Sequence, residues 1–320
     1  MASFAPMPGL NDRKILITGP AGQIAFPLAA HLAADNEVWG IARFGHDGDR
    51  ERVEALGVVT RRCDVASGDF GGVPDDFTHV VHLAASQQPG LDYDDAIRVN
   101  AEGTGLLLHH CRSATAALVM STHSVYRPHP DPAHVFAETD PLGDASPTHS
   151  PTYSVSKLAQ EAVARTCART LGLAVTIARM NASYGPNGGL VAYHLDSVVA
   201  GEPVTTRWEP CRYSPIFQDD INAQAAALLG AASVPATIVN WAGDEVVTVQ
   251  EWCAYGASLA GVTPTVNVTE LPGTLRGSVA DVRRRASITG PCTVGWKEGV
   301  RRTLAARHPA IPAATASPLP

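Results

Sequence analysis

The chain has 320 residues, room for one large α/β unit or two moderate domains. Its net charge is -7 and only 17% of residues are charged, with no lysine and arginine block longer than Arg283-Arg284-Arg285, which excludes a nucleic-acid partner. Six scattered cysteines without a C-x-x-C pair, twelve dispersed histidines and no long apolar run point to a soluble cytoplasmic protein without disulfides, metal site or membrane span.

Residues 1–12, with Pro6 and Pro8, read as a loose lead-in. Lys14 to Thr18 is a short apolar run ended by glycine, the pattern of a strand buried on both faces. Thr18-Gly-Pro-Ala-Gly-Gln-Ile-Ala25 follows it and opens a predicted helix from Ala25 to Ala34. A glycine turn between strand and helix is a nucleotide-binding context. Gly19 allows the tight turn, Gly22 lets backbone approach a pyrophosphate, and the helix N-terminus offers free N–H groups and positive dipole. Ala25 stands at the third glycine position and is still small.

Glu37 to Ala42 is the second predicted strand. Sites for NAD usually carry an acid at its end, to bind ribose hydroxyls. Here Ala42 and Arg43 stand there, which suits a 2′-phosphate unless Arg43 simply points into solvent. Gly57 to Thr60 is the third strand, and Asp64 after it either accepts from an adenine amine or caps a helix. His79 to Ala84, Ala117 to Ser121, Leu173 to Ala178 and Ala236 to Asn240 complete seven strands. Strands alternating with helical segments predict a parallel sheet wound on both faces.

Arg127 to Pro151, rich in proline, histidine and aspartate, is expected to be a surface loop at the mouth of the site. Tyr153 and Lys157 then fall on one face of a helix. A fixed positive charge beside a phenol favours phenolate and brings its proton exchange toward neutrality. From Gly185 to about Tyr213, and from about Thr248 to Arg307, the strand-helix rhythm fades, and these pieces are assigned to a smaller lobe. The tail 308–320 reads as disordered.

TGPAGQIA (18–25), CDV (63–65), HLAA (82–85), Asn100 in VNAEGT, STHSVY (121–126), YSVSK (153–157) and RMNASYGP (179–186) come in a telling order. Together they resemble the extended short-chain dehydrogenase/reductases, also called the NAD(P)-dependent epimerase/dehydratase family. The likeness runs from about Lys14 to Pro186, and more loosely onward through Gln218-Asp-Asp-Ile221. It implies an α/β fold with a Rossmann-type doubly wound parallel sheet over 13–185 plus about 214–245. A smaller C-terminal substrate-binding lobe would use about 186–213 and 246–307.

The cofactor implied is NADP(H), favoured by Arg43, with NAD(H) possible. Its contacts would be Gly19, Gly22, Gln23, Ile24, Arg43, Asp64, Val65, Leu83, Ala84, Ala85, Tyr153 and Lys157. By the resemblance Tyr153 is the acid/base, and Lys157 binds the nicotinamide ribose and lowers the tyrosine pKa. Thr122 supplies a hydroxyl to the reacting oxygen, with Ser124 in its place should the register slip by two. Asn100 would support the lysine through water.

Family dehydratases with this strand end carry Asp-Glu directly after the threonine. His123 and Ser124 stand there instead, which argues against elimination of water by that route. His123 reads either as a second acid/base or as a loop residue. With Asn181 and Arg212, His123 and Ser124 form the candidate substrate contacts, while Trp208, Tyr213, Phe217 and Trp241 read as packing. The expectation is an NADP(H)-dependent oxidoreductase acting on a small carbonyl or alcohol. The alternatives are a nucleotide-sugar epimerase with tightly held NAD, and a non-catalytic nucleotide-binding regulator, against which the intact Thr122, Tyr153 and Lys157 argue. A homodimer is expected through the helices of Asn100 and Tyr153, whose outer faces would carry Ala101, Leu106, Ala159, Ala162 and Val163.

Overall fold

Seven strands form one sheet in the computed structural model, which describes residues 10–143 and 150–311. Most of the predicted lead-in, part of the loop before Tyr153 and most of the tail lie outside the described residues. The strands are β1 Lys14–Thr18, β2 Glu37–Ala42, β3 Val59–Arg62, β4 His79–His82, β5 Ala116–Thr122, β6 Ala174–Met180 and β7 Thr237–Trp241. They pair in parallel in the order β3-β2-β1-β4-β5-β6-β7. The chain therefore reverses its direction of travel after β3, and the crevice between the ends of β1 and β4 is the place where such sheets bind ligands.

Alternation along each strand feeds two cores. Ile15, Ile17, Leu118 and Met120 pack on one face under α1 (Ala25–Ala33) and α7 (Gln218–Gly230). Leu16, Ala117 and Val119 pack on the other with α4 (Gly103–His110) and α5 (Tyr153–Leu171). β5 is buried at every position, as a central strand covered on both faces must be. β3 lies two residues later than predicted, because Gly57 (φ 82°) turns the chain and the edge strand runs into exposed Arg61 and Arg62.

The shorter helices are α2 (Asp49–Glu54) and α3 (Tyr93–Ile97), and α3 joins α4 through a widened π-helical turn, Arg98–Glu102. A third core lies apart from the sheet, where α6 (Leu190–Ala200), α8 (Val249–Ala260) and α10 (Trp296–Arg307) surround Tyr184, Leu195, Phe217, Trp252 and Leu304. α9 (Arg283–Thr289) packs near α7 and β7. The loop after Tyr126, expected at the surface, is anchored within its described part. Its strand Val135–Phe136 pairs with Val279–Ala280, and Tyr126, Phe136 and Leu275 share a small core.

Candidate active site

The glycine turn sits where the sheet reverses. Gly19 has φ 65°, and a Cβ there would lie 3.2 Å from the Ala84 Cα, so bare backbone meets the segment after β4. A Cβ on Gly22 would lie 3.1 Å from the Gly19 carbonyl. α1 begins without a side-chain cap and without an acid in its first turn, which leaves its positive end open to an anion. This cradle fits a dinucleotide pyrophosphate. Gln23 is tied to the smaller lobe, since Asn187 Nδ2 donates to its carbonyl at 2.8 Å.

A buried relay fixes the segment after β4. The Thr18 hydroxyl accepts from Leu83 N (3.0 Å) and Ala84 N (2.9 Å), so its own proton goes to His82 Nδ1 at 2.8 Å. His82 Nε2 then carries the ring hydrogen and donates to Thr104 Oγ1 at 2.7 Å. Thr104 in turn donates to the Asn100 carbonyl and accepts from Gln160 Nε2 on α5. Burial holds the His82 ring at a pKa of about 3, with Lys157 adding to the effect. Nothing in the sequence pointed to this chain of contacts, because all its links but the Thr104–Asn100 step join residues 22 to 66 apart.

Asn100 is fully buried in the widened turn. Its carboxamide accepts from Ser86 N at 2.7 Å and donates to Ser86 O (3.0 Å) and Ser156 Oγ (2.9 Å). It therefore clamps the loop after β4 to the start of α5 by direct contacts.

Thr122 ends β5 and accepts from Ser124 N at 3.2 Å, capping the short turn His123–Val125. Tyr153 opens α5, half-buried, in the cleft that Gln87 and Thr122 also line. Burial raises its pKa, and those two side chains oppose the rise. Lys157 lies nearby without a hydrogen bond to the tyrosine. Its Nζ lies 6.0 Å from the phenol ring centroid and donates to Met120 O at 2.6 Å. Burial brings the lysine itself down to about 7, against the pull of Glu161. The expected lowering of the tyrosine is thus outweighed by desolvation in this arrangement.

A cleft of about 560 Å³ brings most of the candidates together. Gly19, Gly22, Gln23, Ile24, Leu83 and Ala85 line one side, and Thr122, His123, Ser124, Tyr153, Lys157 and Asn181 the other. Ala84 backs Gly19, and Asn100 lies beneath. Arg43, Asp64 and Val65 lie outside the cleft lining: Arg43 is exposed beyond β2, and Asp64 caps the turn Val65–Ser67 through Ala66 N at 3.0 Å.

On the lobe side, His123 is buried, its Nδ1 3.0 Å from Ser278 Oγ. Burial, with Arg179 adding, lowers its pKa to about 3, which leaves it neutral and without the standing of a second acid/base near pH 7. Asn181 Nδ2 donates to Ser278 O at 2.7 Å, and its Oδ1 accepts from Ser214 N at 3.3 Å. Arg212 does not line the cleft. Its carbonyl accepts from Ser278 N at 2.7 Å, and the half-buried Arg207 lines the wall instead. Gln87, Tyr193, Arg207, Leu275 and Ser278 are lining residues that the sequence reading did not single out. Only Gln87 had a signal, its place two residues after the HLAA stretch.

Among the described residues no group of histidine, cysteine, aspartate and glutamate could hold a metal ion, and no helix is long and apolar enough to cross a membrane.

The model of the NAD dependent epimerase/dehydratase family matches residues 15–209. UDP-glucuronate 4-epimerase 2 of Arabidopsis thaliana is 28% identical over 207 residues, a match that spans 56% of this chain but only 44% of that protein's length. Among solved structures, UDP-glucose 4-epimerase of Thermus thermophilus, in complex with NAD, is 27% identical with a TM-score of 0.77, over 93% of this chain and 100% of that one. UDP-glucuronic acid 4-epimerase from Bacillus cereus, in complex with UDP-glucuronic acid and NAD, is 21% identical with a TM-score of 0.80, over 93% and 99%. The last likeness is one of fold.

Proposed function

Since the chain belongs to the NAD dependent epimerase/dehydratase family, and is an enzyme of the extended short-chain dehydrogenase/reductase type, we propose that it is a nucleotide-sugar epimerase. The observation that carries this is the single acid/base at the cleft floor. Tyr153 and Thr122 line the cleft together beside the glycine turn, while the next residue, His123, is buried and neutral. A carbinol centre that is oxidised and then reduced again uses one proton acceptor twice, whereas loss of water would need a second. The sugar 4-epimerases among the relatives, with NAD in the solved ones named above, support the reading.

The nicotinamide dinucleotide of the family would supply the hydride acceptor. It would be held by the backbone of Gly19, Gly22, Gln23 and Ile24, by Leu83 to Ala85, and by Lys157. Tyr153 takes the carbinol proton and later returns it. Thr122 directs a hydroxyl to the same oxygen, which fixes it within reach of the phenol. Lys157 as ammonium favours the phenolate. The segments 186–213 and 246–307 select the substrate, with Asn181 and Arg207 at its polar end.

One observation favours a second reading, an NADP(H)-dependent reductase. Arg43 is exposed where an acid would bind ribose, and it hydrogen-bonds to no partner among the described residues. A charge-assisted contact to a 2′-phosphate contributes about 1.5–3 kcal/mol, or roughly ten- to a hundredfold in affinity. Purified protein is expected to keep NAD through gel filtration and to interconvert UDP-glucuronic acid or UDP-glucose with its 4-epimer. If calorimetry shows NADPH bound more than tenfold tighter than NADH, and Arg43→Ala removes the difference, the reductase takes its place.

A further inference from the structure

The chain holds only three lysines, Lys14, Lys157 and Lys297, and the buried one has a buried carboxylate one helical turn away. Lys157 and Glu161 lie on the same face of α5, each 2% exposed. The lysine ammonium donates to Met120 O at 2.6 Å. The Glu161 carboxylate receives the Ser121 hydroxyl at 2.5 Å and the Arg179 guanidinium at 2.9 and 2.8 Å. The two charged heads therefore rest against consecutive residues of β5.

The titratable groups packed around them are Tyr153 on α5, His82 on β4, His123 in the turn after β5, and Arg179 on β6, which also donates to Tyr126 Oη at 3.0 Å. Both histidines are neutral, so Glu161 is the anion beside Lys157 and Arg179 the cluster's second cation, while the Glu138 carboxylate behind Arg179 accepts from Asn240 N. We propose that Glu161 is the counter-charge that keeps Lys157 a cation beneath the cleft, and that Arg179, by neutralising part of that carboxylate, limits its pull.

Glu161 is then a positioning residue for the Tyr153 and Lys157 pair, a role that rests on the reading of that pair given above. A carboxylate favours a neighbouring ammonium and a guanidinium disfavours it. Burial already brings Lys157 to about 7 with Glu161 in place, so its proton occupancy near neutral pH responds to any change in local charge.

The test is a pH titration of the full chain as purified, with any cofactor it retains and no substrate, labelled with 13C at the lysine ε carbon. Three signals are expected, and Lys157→Met identifies the buried one. Glu161→Gln is expected to lower its midpoint by about one pH unit or more, and Arg179→Gln to raise it. The signs matter. Mere loosening would admit water and move both variants up, toward the ordinary lysine value of about 10.4. A midpoint that rises or stays put in Glu161→Gln overturns the proposal.

Glu161→Gln leaves a buried guanidinium unpaired, and its fold is at risk. Glu161→Gln/Arg179→Gln against Arg179→Gln isolates the carboxylate with no unpaired cation, and equal midpoints there likewise overturn the proposal. No turnover enters these measurements, so the epimerase reading and this one fail separately.

Discussion

Acid is expected to destabilise this protein in large part through two histidines that have no room for a second proton. His82 and His123 are 1% and 3% exposed, and burial holds each near a pKa of about 3. In the unfolded chain a histidine titrates near about 6.5. The folded value is the depressed one, so between about 6.5 and 3 the unfolded chain binds more protons, and stability falls as pH falls through that window. At pH 5 each contributes a loss of about 1.5 × 1.36, or roughly 2 kcal/mol, and the pair about 4 kcal/mol, a large share of the roughly 5–15 kcal/mol of an ordinary domain. The geometry explains the cost at His82. Its Nδ1 accepts the only proton of a Thr18 hydroxyl whose oxygen already takes two N–H groups, so a proton on Nδ1 would meet donor with donor. Urea unfolding at pH 7.5 and pH 5 measures the difference, to which His194, lowered by burial to about 4, adds, and His82→Gln is expected to be less stable at pH 7.5 yet to lose roughly 2 kcal/mol of the pH dependence. Wild type equally stable at both pH values, or His82→Gln with the full pH dependence, would refute the reasoning.

Two further outcomes are expected. Tyr153→Phe keeps the ring and removes the proton donor, so turnover falls by at least about 10²-fold while cofactor affinity, by calorimetry, hardly changes; full activity would remove Tyr153 from the chemistry. The chain is expected to form a homodimer through α3, α4 and α5, around which Leu91, Tyr93, Leu106 and Val155 are 71%, 41%, 41% and 38% exposed. Ala101 takes no part, being 1% exposed. A monomer mass by light scattering at micromolar concentration would end that claim.

The sheet was legible where strands are apolar on both faces. Glu37 to Ala42 matches residue for residue although Glu37 is exposed, and so does β1, where near-continuous burial writes a continuous apolar run. β3 was displaced because an edge strand ending in two arginines has no such run. In the site, local spacing sufficed for Tyr153, Lys157 and the glycine turn, and sequence likeness brought Thr122 and Asn100. What stayed hidden joins residues distant in the chain. Arg207 and Arg212 cannot be told apart until the lobe is folded, since only its packing decides which arginine reaches the cleft. Glu161 did leave a trace. Residues 153, 157, 161, 164 and 168 follow one helical face that is otherwise turned inward, and a carboxylate on that stripe implies a buried partner.

The sheet order has a consequence for how the chain is made. β6 ends at Met180, and its outer neighbour β7 begins only at Thr237. In between, the nascent chain must build the strand Ser183–Gly185, α6 and α7. Until Trp241 has left the ribosome, β6 presents a row of unpaired backbone groups along an apolar edge, the feature that recruits stray strands from other chains. A fragment stopped at residue 209, where the match to the family model ends, would carry Thr122, Tyr153 and Lys157 and leave that edge open for good. The stretch most easily recognised in the sequence is therefore not the stretch that closes its own sheet.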